Sequence, residues 1–361
     1  MYGPSKILTW LESKVQKRMR LSRLKTLSEI VSGAMQMRGC GVLALGRAME
    51  GPALAKHRIK RVDRFLGNED VELDELSSAL FLELCPASGN VVVLADWTDR
   101  HAWQQLTLAV PCDGRAMPFY SATIAKGDGT GAHEGLMVAA ERKALDTLAS
   151  FCALGVTPII VADRGFGNTR WLTDVTKWGW HFVQRMACNH TVSVEHHVGA
   201  LRELGMRRGW RARDFGWGSV GEKEWGPVRL VSVFERNAKE AWYLLTNMDI
   251  LPHQVVQLYQ RRMWIEAMFR DLKNRNWGLG LDHVKLTCPK RNDRLFMVLA
   301  IAYIFLCALG AAAEKLGIDQ ALKANTAPER VINLLRIGAH CMDLVKQDLA
   351  KIMRQLKLLP T

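Results

Sequence analysis

Within YQRRMWIEAMFRDLK, residues Tyr259, Arg262, Glu266, Arg270 and Lys273 follow one another at steps of three, four, four and three. On a helix that spacing lines them up along one side. One reading is a solvated ladder, Arg262–Glu266–Arg270, contributing only tenths of a kcal/mol. The other is a single acid held among cations for chemistry. Two aspartates upstream bear on the choice. Asp96, in VVVLADWTD, and Asp163, in TPIIVADRGF, each follow a continuous apolar run of the kind that forms a buried strand. Either one alone reads as an ordinary strand-terminating acid. If their strands are neighbours, however, the two carboxylates lie side by side and repel unless a cation sits between them. Magnesium takes a few oxygen ligands together with waters and phosphate. Two such ions a few ångströms apart can activate an attacking oxygen and stabilise a leaving one in phosphoryl transfer. Glu266, 103 residues after Asp163, is the candidate third ligand.

The elements that must position these groups can be read from the change of period along the chain. Residues 1–85 are helical in pattern. Met1 to Leu66 carries 14 Lys and Arg against four acids. In KHRIKRVDRFLGN, Ile59, Val62 and Leu66 form an apolar stripe, while Lys56, Arg58, Lys60, Arg61 and Arg64 supply cations suited to phosphates. A solvated face is the competing reading of that run. From residue 86 to 188 the order is three strands, a helix, a strand, a helix and a strand, with Asp113-Gly114 as a hairpin turn between the second and third strands. That order matches a ribonuclease H-like mixed α/β sheet, in which the first and fourth strands are neighbours. Residues 189–250 are short, polar, Trp- and Gly-rich pieces and read as a β-rich insertion. Residues 251–313 hold the Glu266 helix and the end of the core, and 314–361 read as helical, with a break at Asn325–Pro328.

Composition adds a net charge of +13, from 49 Lys and Arg against 36 Asp and Glu. Such an excess favours a polyanionic partner through phosphate neutralisation and counterion release. The eight cysteines show no CxxC pair and no zinc-like spacing with histidine. They read as reduced thiols of an intracellular chain. The amino terminus lacks the apolar segment of a signal peptide. Leu295 to Ala313 is uncharged for 19 residues and long enough to cross a bilayer. The reading preferred here is a helix buried in a large core, with no membrane.

Taken together, Tyr259, Arg262, Glu266 and Lys273 fit Y-x2-R-x3-E-x6-K and resemble the signature of the insertion-sequence-four family of bacterial DDE transposases. LADWTD and VADRGFG sit where that family carries its two catalytic aspartates. KHRIKRVDRFLGN and RMWIEAMFRDLKN…GLGLDH are similar to the branch typified by the Tn-ten transposase. The resemblance implies a cytoplasmic, nucleoid-associated enzyme that binds terminal inverted repeats in double-stranded DNA and synapses both ends as a homodimer. It implies hydrolytic nicking, hairpin formation and opening, and transfer of 3′ ends to target DNA. Asp96, Asp163 and Glu266 would hold two Mg²⁺ ions, with Mn²⁺ able to substitute. Arg262, Arg270 and Lys273 would grip the strand being cut, with Tyr259 on a phosphate or sugar. Trp242 is the candidate for stacking a flipped base, against the plainer reading of a core tryptophan. A related nuclease without strand transfer, and a DNA-binding regulator that has lost catalysis, stay open as alternatives.

Overall fold

The computed structural model describes residues 4–15, 19–36, 39–127, 131–153, 155–322 and 332–343. The expected break at Asn325–Pro328 and the tail after Asp343 lie outside the described residues. The basic amino-terminal segment forms α1 (Pro4–Lys14), α2 (Leu21–Met35), α3 (Val42–Ala48), α4 (Ala55–Gly67) and α5 (Leu73–Leu84). The chain then switches to β1 (Gly89–Arg100), β2 (Trp103–Cys112), β3 (Arg115–Ala125), α6 (Gly131–Phe151), β4 (Val156–Ala162), α7 (Thr169–Thr176) and β5 (His181–Met186). The β2–β3 hairpin turns on Asp113 (φ 45°) and Gly114 (φ 79°). Two positive φ values match a two-residue turn to the twist of its strands.

β1 pairs antiparallel with β2 and parallel with β4, and β4 pairs parallel with β5. The order β3-β2-β1-β4-β5 is the ribonuclease H-like mixed sheet expected from the sequence. The Trp- and Gly-rich stretch forms β6 (Thr191–Val194), β7 (His197–Ala200), β8 (Trp210–Val220), β9 (Trp225–Phe234) and β10 (Trp242–Thr246). These strands do not stand apart. β10 pairs antiparallel with β5, so the insertion continues the core sheet to ten strands in the order β3-β2-β1-β4-β5-β10-β9-β8-β6-β7. The free edge of β5 is thereby paired, which removes a row of open backbone groups.

After the sheet come α8 (Pro252–Gln260), α9 (Met263–Lys273), α10 (Pro289–Lys315) and α11 (Leu334–Asp343). The single helix expected across Tyr259–Lys273 is broken. Arg261 and Arg262 form a tight turn held by Arg262 N–H to Tyr259 O (2.9 Å), Trp264 N–H to Arg261 O (2.9 Å) and Ile265 N–H to Arg262 O (3.1 Å). These three-residue bonds wind the chain more tightly than an α-helix, so the row of side chains loses its common phase.

α10 contains the uncharged run, and its apolar window is 94% buried within the protein. It packs on α2, α4, α5 and α11 and on β3, joining the amino-terminal helices and the sheet into one buried cluster running from Ile7 to Cys341. A helix apolar on all sides is stable only with neighbours on all sides. α10 and α11 approach at two glycines. A Cβ on Gly310 would stand 2.0 Å from Leu334 O, and one on Gly338 would stand 1.9 Å from Leu306 O. Gly338→Ala should therefore lower the melting temperature by several degrees, a cost of about 2 kcal/mol or more from forced separation. Gly135→Ala, in the exposed part of α6 with nothing within 4 Å, should stabilise by about 0.5–1 kcal/mol. Thermal melts of the two variants in parallel check both signs.

Candidate active site

Asp96 lies within β1 rather than at its end, because β1 continues to Arg100 against β2. Its other neighbour, β4, stops at Ala162, in register with Ala95. The side of β1 facing β4 therefore opens at Asp96, and the next residue of the neighbouring strand is Asp163. Parallel register alone sets these two acids abreast. Asp163 caps the tight turn Arg164–Phe166, its Oδ1 accepting from Gly165 N–H at 2.8 Å, and its carbonyl accepts from the Gln184 amide. Trp97, next to Asp96, donates to Glu141 of α6 at 3.1 Å, which ties this end of β1 to the helix layer.

α9 lies across the sheet and brings Glu266 to the same place from its first turn, where the helix dipole favours an acid. One guanidinium joins the three carboxylates. Arg262 donates from Nη2 to Asp96 Oδ2 at 3.1 Å and to Asp163 Oδ2 at 3.3 Å, and from Nη1 to Glu266 Oε1 at 2.6 Å. Side-chain exposure rises from 8% at Asp96 through 28% at Asp163 to 44% at Glu266. Burial pushes the Asp96 carboxyl up to about 7; Arg262 opposes this, while Asp163 and Glu266 add to it. Burial works against the Arg262 charge, but Asp96 and Asp163 outweigh it and hold the guanidinium more firmly protonated than usual. Both directions follow from one cation shared among three acids.

The remaining residues singled out from the sequence divide into groups. Arg270 and Lys273 line, with the three acids and Arg262, a cleft of about 800 Å³. Lys273 Nζ donates to Thr98 Oγ1 at 2.7 Å and to the Asp99 carbonyl at 2.8 Å. Burial draws its pKa down, against the pull of Asp282 and Asp99. Arg270 is exposed at the rim. Tyr259, expected on the same row, is instead turned into the core at 1% exposure. Its ring meets Trp242 edge-on at 5.0 Å, with Arg185 beside its hydroxyl. The tight turn at Arg261–Arg262 is the reason, since it separates the phase of α8 from that of α9. Trp242 opens β10 half-buried, with Tyr259 against it.

The α4 cations belong to a different surface. Lys56, Lys60 and Arg64 are exposed, whereas Arg58 donates to the Met49 carbonyl and Arg61 pairs with Glu29. Arg61 and Arg64 line a small cleft with Arg20 and Arg23. Sequence reasoning missed Asn274, Arg275, Asn276 and His283, which wall the cleft that holds the three acids. They follow α9 in a stretch with no periodicity; Gly278 and Gly280 were the available signal of a chain folding back. Gly278 passes so close to the end of α9 that a Cβ would stand 1.7 Å from Asp271 O.

Hard oxygen donors suit Mg²⁺ or Mn²⁺. Among the described residues no three metal-binding side chains converge into a finished shell, because the Arg262 guanidinium fills the space between the acids. The donor set nonetheless fits a divalent ion, since three carboxylates with one guanidinium leave a net charge of −2 at the site when all are ionised. Asp96 keeps its proton up to about pH 7 in the folded chain, against about 4 when unfolded. Ionising it therefore carries a cost to stability that is nil below about pH 4, grows as pH rises, and is complete above about 7. Asp96→Asn should stabilise the metal-free protein by about 1–3 kcal/mol at pH 8 and by less at pH 5. Melting temperatures at both pH values check the sign.

A sequence-family model described as the transposase DDE domain matches residues 91–305. No curated protein matches the chain significantly.

Proposed function

The chain belongs to the transposase DDE domain family, and from that membership we propose that it is a cut-and-paste DNA transposase of the insertion-sequence-four type. The family consists of nucleic-acid-cutting enzymes that act on DNA, generally with divalent metal ions. The finer reading rests above all on the convergence of Asp96, Asp163 and Glu266 on one guanidinium inside a single cleft. Acids brought together from β1, the end of β4 and α9, 170 residues apart at the extremes, have no structural need to meet.

In this reading Asp96, Asp163 and Glu266 hold two Mg²⁺ ions. Bound there, the metals supply Lewis-acid activation of the attacking oxygen and stabilisation of the leaving one. The chain's own side chains do the rest. Arg270 at the rim and Lys273 within the cleft bind backbone phosphates of the strand being cut. Arg262 neutralises the acids while the cleft is free of metal and DNA, and its guanidinium is available to a phosphate when they are otherwise neutralised. The reaction course is hydrolytic nicking, attack of the freed 3′-OH to give a hairpin, reopening, and joining of 3′ ends to target DNA, in a homodimer that holds both ends. The α4 cations Lys56, Lys60 and Arg64 bind the terminal repeats. Trp242 serves as the stacking surface for a flipped base on the side not taken by Tyr259.

Asp96→Ala, Asp163→Ala and Glu266→Ala should each abolish Mg²⁺-dependent cleavage of duplexes carrying the element's ends while leaving end binding largely intact. Full cleavage by any of them removes that residue from the metal site, and cleavage by the unmodified protein without joining to target DNA reduces the enzyme to a nuclease. Arg262→Gln should bind Mn²⁺ more tightly than the unmodified protein in the absence of DNA, because an internal competitor has gone. Calorimetric titration measures this directly, and equal affinities would show that the guanidinium does not compete.

A further inference from the structure

At the start of β8 the segment RRGWRAR, Arg207 to Arg213, places four arginines in seven residues. Arg207, Arg208, Arg211 and Arg213 are all exposed, as is Arg236 just past the end of β9. Among the described residues none of the five has an acidic partner. Three of them lie over aromatic faces: the Arg213 guanidinium is 3.7 Å and that of Arg207 5.8 Å from the Trp210 ring centre, and Arg208 lies 5.4 Å from that of Phe234. A guanidinium stacked on a ring still presents its N–H edge outward, ready for a phosphate. Nearby acids are engaged elsewhere, Asp214 with Arg229, Glu235 with Gln260, and Glu240 with Arg164 and Arg185. Five uncompensated positive charges on one small surface are costly in self-repulsion unless a polyanion uses them.

Strand register says where this surface lies. Ala162 pairs with Gln184, Arg185 with Leu244, Leu244 with Val231, and Val231 with Asp214. A row across the sheet thus leads from the end of β4, where Asp163 begins, to the residue following Arg213. Arg207 and Arg208 before β8, Arg211 and Arg213 in its first residues, and Arg236 after β9 therefore lie at the same edge of the sheet as Asp163. Four strand-to-strand steps separate β4 from β8, which at about 4.8 Å each is about 19 Å. That is about six base pairs of duplex at about 3.4 Å per pair. Trp242 and the Arg164–Glu240–Arg185 network lie between.

We infer that this arginine–aromatic surface is a second DNA-backbone clamp, holding the duplex that runs out of the catalytic cleft along the sheet edge. The inference rests on the transposase reading, which supplies DNA in the cleft. It goes beyond that reading in assigning a grip to the insertion, through phosphates and without base sequence. The clamp keeps the duplex in line while α9 acts on the strand at Asp163, and its energy depends on charge rather than on which bases pass by.

The test uses the full chain, EDTA to suppress cleavage, and a labelled duplex of about 40 base pairs of arbitrary sequence across roughly 50–200 mM salt. Arg207→Gln, Arg208→Gln and Arg211→Gln combined leave the Arg213–Trp210 stack in place, and a fourth change, Arg213→Gln, completes the set. Melting temperature verifies that each variant is folded. The expected result is affinity about tenfold weaker and a salt slope smaller by about 2–3, as for the loss of that many phosphate contacts. An unchanged slope in the folded variants overturns the clamp. If Lys60→Ala with Arg64→Ala weakens binding while the patch variants do not, the clamp fails and the transposase reading stands. If the unmodified protein does not bind the duplex at any salt, both fail together.

Discussion

Three carboxylates can be gathered in one cleft of this protein because a single guanidinium sits among them. Arg262 reaches Asp96 and Asp163 through one nitrogen and Glu266 through the other. Without that charge, two half-buried or buried acids on adjacent strands and a third on α9 would repel across a region of low dielectric. The arrangement is far from an optimum of stability. One cation serves three anions, and Asp96 answers by holding its proton to about pH 7. A site tuned for folding alone would carry an apolar residue at one of these positions. The strain stored there is electrostatic, and it is relieved by any further cation.

The geometry of that guanidinium depends on the turn at Arg261–Arg262. Had α8 and α9 been one straight helix, Tyr259 and Arg262 would share a face with Glu266. The three-residue bonds in the turn instead let α8 bury Tyr259 beside Trp242 while Arg262 reaches between the two strand acids. Tyr259 thereby joins the motif to the insertion, since Trp242 opens β10, and β10 is the strand that seals β5. A residue that looks from its spacing like a DNA contact works, in this conformation, as packing that couples α8 to the sheet.

Much of this was legible in the sequence, for identifiable reasons. Continuous apolar runs ending in acids specify buried strands, and the strand–helix order specifies which are neighbours, so the meeting of Asp96 with Asp163 follows from local pattern plus topology. The 27-residue α10 could be read as a core helix because basic, polar sequence surrounds it. Less legible were features set by distant partners. Nothing local to β10 says that it will pair with β5. No Gly or Pro marks the turn at Arg261. The i, i+4 pair Arg262–Glu266 was visible as a salt bridge of little consequence, and it does form. What spacing could not reveal is that the same guanidinium also holds two aspartates, one 166 and one 99 residues away, which turns a surface pair into the centre of the site.

The sheet supplies the remaining constraint. Parallel β4 and β5 end at one edge, and loops at that edge carry the polar groups that strands cannot. Asp163, Arg164 and Arg185 sit there, and the antiparallel insertion brings the ends of β8, β9 and β10 to the same line. An insertion packed as a separate body could adopt any angle to the cleft, whereas strands hydrogen-bonded into the core sheet fix theirs. Continuity of the sheet therefore does for the outer strands what parallel register does for Asp96 and Asp163. It converts backbone pairing into the spacing of charges along one edge, and a rigid duplex is a ligand for which such spacing matters.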